Sequence, residues 1–162
     1  MKDLVVKIMT EALRGMYAHT NPGKVLAGLT ADDARKKPTE TTRSCWEVLY
    51  HMVYWQDITL EVLRGKAIDM DDAMKRTWPE TTDLKEDDQW PMLIERYRDG
   101  LVEVRDVLYG EDPKRIVEGL DVSVAQAILV NAQHNSYHLG QLVDTRRILE
   151  LWPPENTHCW FI

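Results

Sequence analysis

Cysteine is nearly absent from this sequence. Cys45 and Cys159 are the only two, and they form neither a CxxC pair nor a zinc-finger spacing, which argues against a disulfide framework. No stretch approaches the roughly 18 consecutive apolar residues of a membrane span. No basic leader followed by an apolar core opens the chain, so the expected compartment is the cytoplasm, with no membrane partner. Positive charge is in deficit, with 20 basic against 27 acidic residues and a net charge of −7. A protein that grips a phosphate backbone needs a basic face, so nucleic acid is excluded as the expected partner. Phenylalanine occurs once, whereas Trp and Tyr occur six times each, an aromatic choice that suits pocket rims and subunit interfaces. Repeats, low-complexity segments and strand-like alternation are also missing.

What remains is helix. The 44% hydrophobic and 29% charged fractions are those of an ordinary globular protein, and 162 residues suit one domain, 1–162, with a core of its own. Leu4, Ile8, Ala12 and Met16 at strict fourth-residue spacing, with Val5 and Met9 beside them, predict a first helix from Lys2 to about Tyr17. Thr20 to Gly23 breaks it. Pro22 can begin a short turn carrying Val25, Leu26 and Leu29, and Thr30-Ala31-Asp32-Asp33 starts another that ends before Pro38. After a polar linker, Ser44-Cys45-Trp46-Glu47 fits a capping box. It opens a second long helix that runs to Arg64, with Gly65 as its stop and Val48, His51, Trp55, Ile58 and Val62 as its inward stripe.

Lys66 to Glu86 has no sustained period and reads as a crossover over one end of a bundle. Asp87 or Asp88 can cap a third long helix, in which Trp90, Leu93, Ile94, Tyr97, Leu101, Val104 and Leu108 repeat at three- and four-residue steps, ended by Gly110. Glu111 to Val122 is a polar connection. Ser123 then caps a last helix that reaches Leu151, before Trp152-Pro153-Pro154 and the tail Glu155 to Ile162. Four long amphipathic helices with a long connection between the second and third predict an all-α four-helix bundle.

The chemistry concentrates late in the chain. His134 and His138 are one helical turn apart, Gln141 shares their face, and Ala127, Val130, Thr145 and Ile148 extend the line, which is expected to face the core. Two imidazoles so placed can converge on one ion, and His51 is the internal histidine on a comparable stripe. A lone histidine on an apolar stripe is more often a hydrogen-bonded core residue than a ligand.

Ser44-Cys45-Trp46-Glu47-Val48-Leu49-Tyr50-His51 with Leu63-Arg64-Gly65 resembles the second helix of the DinB/YfiT-like superfamily. Asn131-x-x-His134-x-x-x-His138-x-Gly140-Gln141, followed by Arg146-Arg147 and Trp152-Pro153-Pro154, resembles the end of its fourth. The resemblance extends over nearly the whole chain. It implies a four-helix bundle with a long crossover between helices 2 and 3, in which His51, His134 and His138 bind one divalent metal, zinc or nickel. Some members are thiol S-transferases or isomerases that use bacillithiol, mycothiol or glutathione, and the family often forms homodimers. Three neutral imidazoles leave coordination positions open, the pattern of catalytic rather than structural sites.

The expected function is therefore a metal-dependent thiol S-transferase or hydrolase-like enzyme on a small-molecule substrate, working as a homodimer. The alternative is a non-catalytic metal-binding stress-response or sensor protein of the same fold. Gln141 is expected to orient a histidine, meet substrate or contact a neighbouring helix. Glu47 reads as a cap rather than a partner of His51, and Tyr54 and Trp55 as core or pocket wall. Arg146 and Arg147 read as solvated groups near a helix C-terminus, with a carboxylate-holding role as the rival. Cys45 reads as buried, His19 as a helix-end residue, and Tyr137 as pointing off the ligand face. His158 and Cys159 are placed outside the site.

Overall fold

The computed structural model describes residues 2–15, 18–80 and 86–155. Among the described residues, seven helices form in the order α1 (Lys2–Arg14), α2 (Pro22–Leu26), α3 (Ala31–Arg35), α4 (Cys45–Leu63), α5 (Met70–Arg76), α6 (Gln89–Gly110) and α7 (Val124–Ile148). No strand forms among the described residues beyond one antiparallel bridge between Ile116 and Ser123. The fold is all-α, as the sequence predicts. The four longer helices, α1, α4, α6 and α7, pack against one another, with α4 against both α6 and α7.

Local chemistry sets the helix starts. Ser44 and Glu47 close a full capping box: the Glu47 amide donates to Ser44 Oγ at 3.2 Å, and the Ser44 amide donates to Glu47 Oε2 at 2.8 Å. Burial raises the Glu47 pKa, but the Ser44 amide, Arg43 and Lys37 outweigh it and hold the carboxylate below its ordinary value. Glu47 is thus the cap the sequence predicts. Ser123 and Gln126 repeat the device at the start of α7. That helix ends at Ile148, short of Leu151. Glu150 takes the left-handed conformation (φ 61°), and the Leu151 amide donates back to the Arg146 carbonyl at 2.7 Å.

Arg146 is a correction. It is neither solvated nor free for a ligand: 2% exposed, it donates to the carbonyls of Val25 and, through Nε and Nη2, of Leu151 at 3.1 and 2.9 Å. Arg147 is exposed and pairs with Asp144 at 3.0 Å.

The first helix is shorter than expected, and its inward face is Val6, Thr10 and Leu13, whereas Leu4 and Ile8 are exposed. Apolar residues occupy both sides of this helix, and packing on α6 and α7 selects one. Gly15 (φ 76°) ends the helix at Arg14; Met16 and Tyr17 lie outside the described residues. The connection after α4 carries a short helix, α5, capped by Asp69 through the Asp72 amide at 3.1 Å, with only Ala73 buried. A helix that buries one side chain has no hydrophobic period to read.

The core line of α7 runs through Ile128, Ala132, Asn135, Leu139, Leu142 and Arg146, and that of α4 through Leu49, Met52, Gln56, Leu60 and Leu63. At about 100° per residue, the histidine-bearing lines lie roughly a quarter to a third of a turn round from these. Val130 and Ile148, expected inside, are 62% and 67% exposed. Trp55, Ile58 and Val62 are half-buried. The predicted stripes of α4 and α7 are real alignments, but apart from buried Val48, His51, His138 and Thr145 they follow the edge of the core.

Candidate metal centre

The turns of α4 and α7 that carry His51, His134 and His138 meet. One ring nitrogen from each lies within 4.8 Å of the others, and among the described residues no fourth His, Cys, Asp or Glu joins the group. His51 Nε2 and His134 Nε2 are 3.1 Å apart. In a tetrahedral site with bonds of about 2.0–2.1 Å, neighbouring ligand nitrogens are about 3.3 Å apart.

Each ring is held by different neighbours. The His51 Nδ1–H donates to the Thr77 carbonyl at 3.0 Å, with Thr77 Oγ1 at 2.8 Å, and the Trp55 indole N–H donates to the same Oγ1 at 2.6 Å. A carbonyl only accepts, so the proton of His51 sits on Nδ1 and its Nε2 presents a lone pair. His138 Nδ1–H donates to Gln141 Oε1 at 2.9 Å, with the same consequence. His134 Nδ1 is buried without a hydrogen-bond partner. Either His134 donates from Nε2 to His51 and leaves a bare acceptor in the interior, or three lone pairs converge. The second arrangement puts the His134 proton on the unpartnered Nδ1 and aims three lone pairs at one point, so the donor set fits a divalent metal.

Electrostatics point the same way. Burial, then the neighbouring His138 and His51, push His134 down to about 4. Burial also lowers His51 and His138, partly offset by the bonds to Thr77 and Gln141. The cluster is neutral at pH 7, the form that can bind a metal.

Aromatic rings wall the site. The Trp78 indole stacks on His51 at 4.0 Å and 9°, and the Arg43 guanidinium lies 4.5 Å over that indole. Trp55 meets His51 edge-on at 6.5 Å, so it belongs to the wall, and Tyr54 backs Trp55 at 5.8 Å. Tyr137 is 74% exposed, although its ring edge contacts His138 at 5.0 Å.

Asn131, which opens the α7 motif, is buried and accepts a bond from Asn135 at 3.2 Å instead of entering the cluster. Cys45 is fully buried, and burial raises its thiol to about 12, so it stays protonated and inert. His19 bonds the Thr20 carbonyl at 2.9 Å, away from the cluster. His158 and Cys159 lie outside the described residues. Thr77 and Trp78 are the site residues the sequence reading missed. The Asp69 cap, which places them just past the end of α5, was the available signal.

The fold and the histidine cluster define an all-α protein with a candidate site for one metal ion. The model of the DinB superfamily matches residues 21–142, and the chain belongs to that superfamily. It is similar in fold to the crystal structure of a conserved protein from Enterococcus faecalis. The TM-score is 0.57 with 14% sequence identity, over 92% of this chain and 95% of that one. No curated protein matches the chain significantly. No helix among the described residues is long and apolar enough to cross a membrane.

Proposed function

We propose that His51, His134 and His138 hold one divalent ion, zinc or nickel, and that the protein is a metal-dependent transferase joining a low-molecular-weight thiol to an electrophilic small molecule. The observation that carries this reading is the convergence of three neutral imidazoles with no fourth protein donor among the described residues. When bound, such an ion supplies Lewis acidity, which lowers the pKa of a coordinated thiol or water. The chain's own groups do the rest. Thr77 fixes the orientation and tautomer of His51, and Gln141 does so for His138. Trp78 and Trp55 exclude water from one side.

Metal analysis of untagged protein tests this reading. One divalent ion per chain is expected in the wild type and none in His138→Ala. A folded wild type that refuses added zinc and nickel would end it. With metal found, thiols paired with epoxides or halogenated electrophiles are the substrates to screen.

The burial of His51 and His138, 8% and 7% exposed, favours a second reading, a non-catalytic metal-binding sensor or stress-response protein. Cobalt-substituted protein separates the two, because a small added thiol changes the visible spectrum only if a coordination position is open. Exposed Leu4 and Ile8 on α1 support a homodimer, and the acidic net charge fits a cytoplasmic protein that does not bind nucleic acid.

A further inference from the structure

On both helices the ligand line continues past the histidines into a groove. On α4, His51 is followed one turn later by Trp55, then by Ile58 and Val62; on α7, His134 is preceded one turn earlier by Val130, then by Ala127. These side chains, with Met70 of α5 and Leu120 and Val122 of the α6–α7 connection, line a cavity of about 220 Å³. From Trp55 to Val62 it extends about 10 Å at 1.5 Å per residue. Its near end is formed by Trp55 and Val130, one turn from His51 and His134, and the Trp55 ring meets His51 edge-on at 6.5 Å.

None of the ten lining residues carries a charge. The two polar side chains are already engaged: Thr59 Oγ1 donates to the Trp55 carbonyl at 2.8 Å, and Gln126 Oε1 accepts from the Ser123 amide at 2.8 Å. Only the Gln126 amide nitrogen remains to donate, which cannot replace the full hydration of a carboxylate, ammonium or hydroxyl group, so a polar ligand would be penalised there. Met70, Leu120 and Val130 at the rim are nevertheless 48%, 44% and 62% exposed. An apolar cavity of about 150 Å³ is enough to hold benzene, so this one takes a ring with a few added carbons.

We infer that this groove binds the apolar group of the electrophilic substrate, an aryl or short arylalkyl chain whose reactive end reaches the histidine cluster. The inference rests on the proposed metal-dependent reading for its choice of substrate. Low-molecular-weight thiols are polar and charged, so of the two reactants the groove selects the electrophile.

Two measurements test it and keep it separable from the metal proposal. In metal-free protein, toluene is titrated while the Trp55 indole N–H is followed by NMR. A saturable shift is expected in the wild type, weakened about ten-fold or more in Leu120→Asp, which changes an exposed loop residue. In zinc-loaded protein, benzohydroxamate is expected to bind at least about ten-fold more tightly than acetohydroxamate, with Leu120→Asp removing that preference but not acetohydroxamate binding. Equal affinity for the two hydroxamates, or a Trp55 signal that ignores toluene, overturns the inference even if metal binds. So does a dimer that Leu120→Asp converts to monomer, because the groove would then be covered by a second copy. If neither hydroxamate binds while toluene does, the metal proposal fails and the apolar site stands.

Discussion

At the scale of single residues, the chemistry of the site is a matter of which nitrogen carries a proton. Thr77 and Gln141 assign it on two of the three rings, and His134 is left with a buried, unpartnered Nδ1. The pH dependence follows. His134 titrates near 4 when folded and near its ordinary 6.5 when unfolded, so between these values the unfolded chain binds more protons. The stability of metal-free protein is therefore whole above about pH 6.5 and falls as pH drops towards 4. Thermal melts of metal-free wild type should show that decline, and His134→Phe should flatten it. An unchanged slope in the variant would mean that the ring is solvated as an ordinary surface histidine. The pair His134 and His138 was readable in the sequence because helical spacing alone puts i and i+4 side by side. Thr77 was not. Its bond to His51 spans 26 residues, and no local pattern encodes a contact of that range.

At the scale of helices, capping signals proved more informative than stripes. Ser44 and Ser123 marked the starts of α4 and α7 through local hydrogen bonds. The stripes were ambiguous because α4 is buried on more than one side and α1 is apolar on two, so periodicity found alignments without telling core from groove. The end of α7 relies on a charged group. Arg146 ties the carbonyls of Val25, in α2, and of Leu151 to the helix through three hydrogen bonds. Arg146→Ala leaves these buried acceptors unsatisfied and should cost about 3 kcal/mol or more in chemical denaturation. A loss below about 1 kcal/mol would show that water replaces the guanidinium. Neither the solvated nor the ligand-holding reading anticipated this, because both treated the residue by its distance from the helix end.

At the scale of the molecule, the all-α class followed from four helical periodicities and the lack of any strand signal, whereas the association state depends on a surface. Leu4 and Ile8 leave an apolar patch on α1 that the bundle does not use. If this is the homodimer face, Leu4→Asp with Ile8→Asp should convert a dimer to a monomer in sedimentation velocity, with metal content unchanged. A wild type that sediments as a monomer at micromolar concentration would remove the dimer from the proposal.

The three-histidine cluster also has a consequence for the chain as a polymer. His51 and His134 are 83 residues apart in sequence. An ion shared between them would act as a reversible crosslink that closes a loop of that length, restricting the unfolded chain as a disulfide does. For a crosslink of this span the chain-entropy model gives about 4–5 kcal/mol. A sequence almost without cysteine would thus have its staple made of histidine, one that opens and closes with metal supply instead of redox state.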